Sequence, residues 1–191
     1  FWGHEHFDVD PDMITMAKGL ASSYEPLSAT VVKQHIYDLF LNDPSDPGKR
    51  LNFFRDISTY GGCAGPMAAA LESTRIIDDE GLVENSRVMG EYLLQKLGEL
   101  KDMDLVGDVR GRGLFCGVEF VRDKATKEPV SESEMATIVG NMMKQGVIVG
   151  RTNSSITGLN TVMNFAPCLV ITKEQIDRVV ETLRKTIEMG V

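Results

Sequence analysis

Residues 7–32, FDVDPDMITMAKGLASSYEPLSATVV, constrain the chain more than any other stretch. After Asp12, the apolar run 13–17 has the length and β-branched content of a short buried strand, and it delivers a single lysine, Lys18, directly before Gly19. Gly19 permits a tight turn and close backbone approach. Tyr24, Pro26 and Ser28 build an irregular connection, and residues 29–32 read as a second buried strand. An amine held at such a strand end is expected to be desolvated. Desolvation disfavours the ammonium form and leaves a neutral amine able to attack a carbonyl carbon, which is Schiff-base chemistry. A lysine after a strand is more often a solvated side chain, so the spacing alone leaves both roles open.

The rest of the chain supplies the frame. Ile36, Leu39 and Phe40 have helical spacing over 33–41, and the polar stretch 42–48 ends that helix as an exposed loop. Residues 51–59 lead into Gly61, Gly62, Gly65 and Pro66, which open an alanine-rich helix. Free first-turn N–H groups there suit an anion, and small residues suit close packing equally well. A helical tract over 65–102, broken at 79–81, carries the apolar stripe Ile76, Ile77, Leu82, Val83, Met89, Leu93, Leu94, Leu97 and Leu100. The break divides the chain into domains 1–80 and 81–191. Beyond it, 105–110 and 114–121 read as strands around Gly111-Arg112-Gly113, where Arg110 and Arg112 suit either an anion site or a braced turn. Ser131 and Glu134 form a capping box for a helix to about Gln145, and 147–149 and 161–165 read as strands. Thr172 and Gln175 cap a last helix bearing Ile176, Val179, Val180, Leu183 and Ile187. The order strand, strand, helix, strand, strand, helix implies an α+β layer with its helices on one face.

Charge and composition narrow the partners. A formal net charge of -8 argues against nucleic acid, and 42% hydrophobic content is ample for a core. No run of eighteen apolar residues and no signal-peptide pattern occurs in this stretch, so no membrane role is expected. Cys63, Cys116 and Cys168 are widely spaced, which favours free thiols and a cytoplasmic setting. His4 and His6 lack a third ligand at useful spacing, and no metal is expected.

The segment PDMITMAKGLASSYEPLSATVV resembles the signature of class III pyridoxal-phosphate aminotransferases: an apolar strand, Ala-Lys-Gly, a Gly- or Ser-containing turn, Tyr, Pro-Leu and a small-residue strand. The resemblance implies that Lys18 carries pyridoxal 5'-phosphate and acts in catalysis. ISTYGGCAGPMAAALE is similar to the family segment whose threonine, here Thr59, binds the cofactor phosphate of the neighbouring subunit. A homodimer with shared active sites is thereby implied. Gly62-Cys63-Ala64 stands where the family usually has Gly-His-Pro, which leaves the local turn open. The opening FWGHEHFDVDP resembles the family's interior, so the chain is expected to be the C-terminal part of a longer protein. The implied fold is α/β: the C-terminal part of a fold type I large domain, followed by a small α+β domain. The family's pyridine-nitrogen partner and most of its phosphate loop would then lie before Phe1, and this stretch alone would be inactive.

The implied reaction is transamination, with a small amino donor and a keto acceptor. Many relatives that bind an α-carboxylate have Arg-Phe-Ala-Pro-Pro where this chain has Asn164-Phe165-Ala166-Pro167-Cys168. That points to an ω-amino donor. FFRDISTYGGCAGP, GDVRGRGLFCGVEFVRDKATKEPV and GVIVGRTNSSI resemble the branch that passes the amino group of taurine to pyruvate, giving an aldehyde and alanine. Arg151 is then the candidate for the donor's sulfonate, because a guanidinium fork matches that anion. An exposed structural arginine at a strand end is the alternative. Donors of the 4-aminobutyrate, ornithine or β-alanine type, a racemase or decarboxylase of the same fold, and a non-catalytic fragment are the rival readings.

Overall fold

The structure, a computed structural model, describes residues 1–49, 52–54, 56, 58–153 and 156–190. These form two compact units, Phe1–Glu80 and Gly81–Val191.

In the first unit, β1 (Met13–Ala17) and β2 (Ser28–Val32) pair antiparallel, with Met13 opposite Val32 and Ala17 opposite Ser28. The Lys33 N–H extends the ladder by donating to the Asp12 carbonyl at 3.0 Å. The strands are where the apolar runs place them, but they are not buried. β1 alternates exposed and half-buried residues, because each strand has only the other as a partner among the described residues. The helix expected over 33–41 shrinks to α1 (Gln34–Tyr37) and a 3-10 turn, Asp38–Phe40. No side chain caps α1, and Leu39 and Phe40 are exposed, so little offsets the cost of helix nucleation. Part of the 51–59 connection lies outside the described residues. α2 (Ala64–Asp79) follows, and its break before the next helix falls at Gly81, whose φ is +63°.

The second unit is an antiparallel sheet covered by three helices: α3 (Leu82–Gly98), α4 (Glu132–Lys144) and α5 (Lys173–Glu188). Its strands are β3 (Val106–Arg112), β4 (Phe115–Asp123), β5 (Glu128–Pro129), β6 (Gly150–Arg151) and β7 (Val162–Phe165). The order is β3-β4-β7-β6, with β5 paired to the end of β4. Val109, Val118 and Met163 line up across three strands on the buried face, and Val106, Phe120, Cys116 and Phe165 join them. Leu93 and Leu97 of α3, Met135, Ile138 and Met142 of α4, and Ile176 and Leu183 of α5 complete this core. Burying each such side chain is worth about 1.5–3 kcal/mol. Both capping boxes form: Ser131 and Thr172 accept from the N–H groups of Glu134 and Gln175.

Three details differ from the sequence reading. β3 runs on through Gly111 and Arg112, because Gly113 at φ +52° allows a two-residue turn to Phe115. Residues 147–149 are not a strand. The C-terminal cap of α4 takes the first of them, with Gly146 N–H donating to the Met143 carbonyl and Val147 N–H to the Met142 carbonyl, and pairing begins only at Gly150. β5 is too short to leave a sequence pattern. α3 meets the β3–β4 turn at Gly90, where an added Cβ would stand 2.2 Å from the Gly113 carbonyl carbon. Among the described residues no helix is long and apolar enough to cross a membrane.

Candidate active site

Lys18 is the first residue of a 3-10 turn, Lys18–Ala21, that begins where β1 stops. The chain swings from an extended Ala17 to a φ of +54° at Lys18, and Ser22 and Ser23 follow at +47° and +62°. Three non-glycine residues in the left-handed region within six positions store strain, at about 1–3 kcal/mol each. The surroundings hold them there. The Ser22 N–H donates to the Gly19 carbonyl at 3.1 Å, the hydroxyls of Ser22 and Ser73 of α2 lie 2.7 Å apart, and Ala21 is buried. Nothing local foretells this at Ser22 or Ser23, since serine does not announce a positive φ as glycine does.

Lys18 opens onto a hollow of about 480 Å³ that it shares with Ser23, Tyr24, Glu25, Pro26 and Leu27. The volume suits a small ligand. The expected desolvation of the amine is not met, because Lys18 is exposed and β1 and β2 offer no cover above it.

Thr59 is exposed at the tip of a turn closed by the Gly61 N–H on the Ser58 carbonyl at 2.9 Å. It does not line the Lys18 hollow. Gly62 follows at φ +76°, and Cys63 is the N-cap of α2 with no side-chain capping bond, so the turn reverses the chain just before the helix without a proline. Arg55 and Ile57 of the same motif lie outside the described residues.

In the second unit, β6 pairs Gly150 with Asn164 and Arg151 with Met163. Paired residues share a face, so Arg151 leaves an edge strand on the side of the buried Met163, while Asn164 faces the other way. Its Nη1 is buried and has no hydrogen-bond partner among the described residues. Arg151 is therefore half-buried and not an exposed strand-end arginine. An inward charge also discourages strand addition at an edge, but that role does not require an unpaired donor. A neighbouring apolar cavity of about 220 Å³ is lined by Val149, Gly150, Asn164 and Phe165, among others.

Of the two arginines beside Gly111, Arg112 is exposed at the end of β3. Arg110 is held by Asp108 at 2.9 Å and Glu119 at 2.6 Å on the open face of the sheet, and these two carboxylates raise the pKa of its guanidinium, Glu119 first. It braces the strands instead of offering an anion site. His4 bonds the Val9 carbonyl through Nδ1 at 3.0 Å. No group of three or more His, Cys, Asp or Glu side chains among the described residues could hold a metal. The three cysteines are free, and burial pushes the Cys116 thiol up to about 11.

The model of the family "Aminotransferase class-III" matches residues 1–187. The taurine–pyruvate aminotransferase of Rhodobacter capsulatus is 48% identical over 184 residues, covering 96% of this chain and 39% of that protein. The hypotaurine/taurine–pyruvate aminotransferase of Paracoccus denitrificans is 43% identical, with the same two coverages. Among solved structures, a Bacillus anthracis aminotransferase superposes with a TM-score of 0.89 at 44% identity, over 98% of this chain and 41% of that one. The chain belongs to the class III aminotransferases, and its α/β fold is that of part of a fold type I enzyme. It spans about two-fifths of the length of the curated relatives it matches.

Proposed function

We propose that the complete protein is a transaminase that moves the amino group of taurine to pyruvate, with Lys18 as its catalytic residue. The observation that carries this reading is the placement of Lys18: a lone amine at the end of β1, set in a strained turn and open to a hollow of ligand size. Strain at such a point marks functional sites more often than solvated loops. The kinship of the whole chain with taurine-using enzymes supports the choice of donor.

Pyridoxal phosphate fits these residues. A reachable amine answers its aldehyde, and the hollow beside Lys18 has room for a small aromatic ring. When bound it supplies the electron sink on which amino-group transfer depends. Lys18 Nζ would hold the cofactor's carbonyl carbon. With its amine free, Lys18 Nζ would act as the general base that takes a proton off the donor carbon bearing the amine. Thr59, exposed at its turn, would donate its hydroxyl to the cofactor phosphate of the neighbouring subunit, so the working unit would be a homodimer. Phe1–Glu80 would be the end of the cofactor-binding domain and Gly81–Val191 the small domain.

Arg151 would take the far anion of the donor. Its buried, unpaired Nη1 is a donor in want of an acceptor, and a sulfonate oxygen supplies one. Asn164, on the opposite face, carries no charge for an α-carboxylate. The test is direct: the full-length enzyme with cofactor, taurine and pyruvate should form alanine and an aldehyde. Alanine formation from 4-aminobutyrate or ornithine but never from taurine would refute the donor and leave transamination standing.

A further inference from the structure

Arg151 begins a long return: β6 ends with it, and the chain travels through 152–161 before β7 resumes at Val162. A charge intended for one substrate atom needs that return held still, and the backbone of β6 alone cannot do it, since only two residues pair. At the base, the Thr152 N–H donates to the Val162 carbonyl at 2.9 Å. The second fastening comes from another element. Glu132, the first residue of α4, accepts through one oxygen both the Gly158 N–H and the Asn160 side-chain amide, each at 2.9 Å. Gly158 turns at φ +84°, while Asn160 and Thr161 are buried. The carboxylate thus pins the far limb of the hairpin to the start of a helix.

Glu132 is half-buried, so this is not a pair of long surface side chains meeting by chance. The Gly158 N–H, the Asn160 amide and the Arg151 charge all hold its carboxyl below the usual range, in that order. Arg151 therefore lies within electrostatic reach of Glu132, although the carboxylate's bonds go to the loop and Nη1 stays unpaired.

We propose that Glu132 is a positioning residue: by tying Gly158 and Asn160 to α4 it fixes the β6–β7 hairpin, and so sets Arg151 for an anionic tail on the donor. This rests on the reading of Arg151 given above. On this reading Glu132 acts through Arg151 and not on the cofactor or the reacting atoms. Its effect is confined to donors whose tail carries a charge.

The experiment uses the complete holoenzyme and the variants Glu132→Ala, Glu132→Gln and Arg151→Ala. Two readouts are taken: kcat and KM for taurine against 1-phenylethylamine, whose tail is uncharged, and calorimetric binding of isethionate, a sulfonate of taurine's length without the amine. Glu132→Ala should raise the taurine KM and weaken isethionate by about tenfold, with kcat and the phenylethylamine constants within about twofold. Glu132→Gln keeps an acceptor oxygen for the loop and should recover most of the loss. Arg151→Ala should weaken isethionate binding by up to about a hundredfold. Should Glu132→Ala slow both donors equally, or lower only the melting temperature, Glu132 would be a structural residue and the inference overturned. If isethionate depended on Arg151 but not on Glu132, the inference alone would fail. If it ignored both, or failed to bind the wild type, the reading of Arg151 would fall and take the inference with it.

Discussion

Replacing Arg151 with leucine separates a functional arginine from a structural one, because the two predict opposite signs for stability. The buried Nη1 has no partner among the described residues, and an unsatisfied buried donor costs about 1–3 kcal/mol. Leucine keeps an apolar stem beside Met163 and removes that donor. The backbone pairing of Arg151 with Met163 and the Thr152–Val162 bond do not involve the side chain and survive. Against the gain stands the lost attraction to Glu132, whose carboxylate already has the Gly158 and Asn160 donors. The net expectation is a stabilisation of about 1 kcal/mol, which for the Gly81–Val191 unit raises the melting temperature by about 4 °C. Activity should move the other way. A charge-assisted hydrogen bond contributes about 1.5–3 kcal/mol, so kcat/KM for taurine should fall about ten- to a hundredfold while an uncharged amine donor loses far less. Denaturant unfolding and the taurine half-reaction, measured on the same preparation of complete enzyme, decide the matter. A variant less stable than the parent, with taurine turnover unchanged, would show that Arg151 is structural and that the reasoning from its unpaired nitrogen is wrong.

Lys18→Gly should leave the enzyme more stable than Lys18→Ala by about 0.5–1 kcal/mol in denaturant unfolding, since only glycine adopts the +54° φ without strain; equal stability would mean that the turn relaxes when the amine is absent. Gly90→Ala should destabilise by about 3 kcal/mol or more, because its Cβ meets the backbone of Gly113 at 2.2–2.4 Å and backbone must move; a change under about 1 kcal/mol in the same assay would contradict the packing of α3 on the β3–β4 turn. At pH 8, a thiol reagent should label exposed Cys63 and Cys168 quickly and Cys116 only on unfolding, as burial keeps that thiol protonated. Peptide mapping of early label on Cys116 would refute its burial.

How much of this could be read from the sequence depended on how local the cause was. The capping boxes at Ser131 and Thr172 were legible because cap and partner lie three residues apart, and both formed. The strand before Lys18 was legible from its apolar run, and the family from the motif around it. Burial was not. Whether β1 is covered depends on what packs on it, and an apolar run shows only that cover would be favourable. The strand expected over 147–149 does not form for a similar reason: Val147 and Val149 have the composition of a strand, but the C-cap of α4 claims the first of them. Arg151 could be named from its motif, whereas its inward direction came from its register against Met163. Glu132 gave no sequence signal, because its partners lie 26 and 28 residues away. The left-handed φ at Ser22 and Ser23 is likewise imposed by the packing of Ala21 and the bond to Ser73.

The central claim is that Lys18 is the amine that holds the cofactor. Borohydride reduction of the full-length enzyme with pyridoxal phosphate bound, followed by proteolysis and mass mapping, tests it with no assumption about the donor. The account predicts one pyridoxyl group per chain, on the peptide containing MITMAKGLASSY and on Lys18 within it. Label recovered on any other lysine, or a Lys18→Ala enzyme that still fixes the cofactor on reduction, would contradict it.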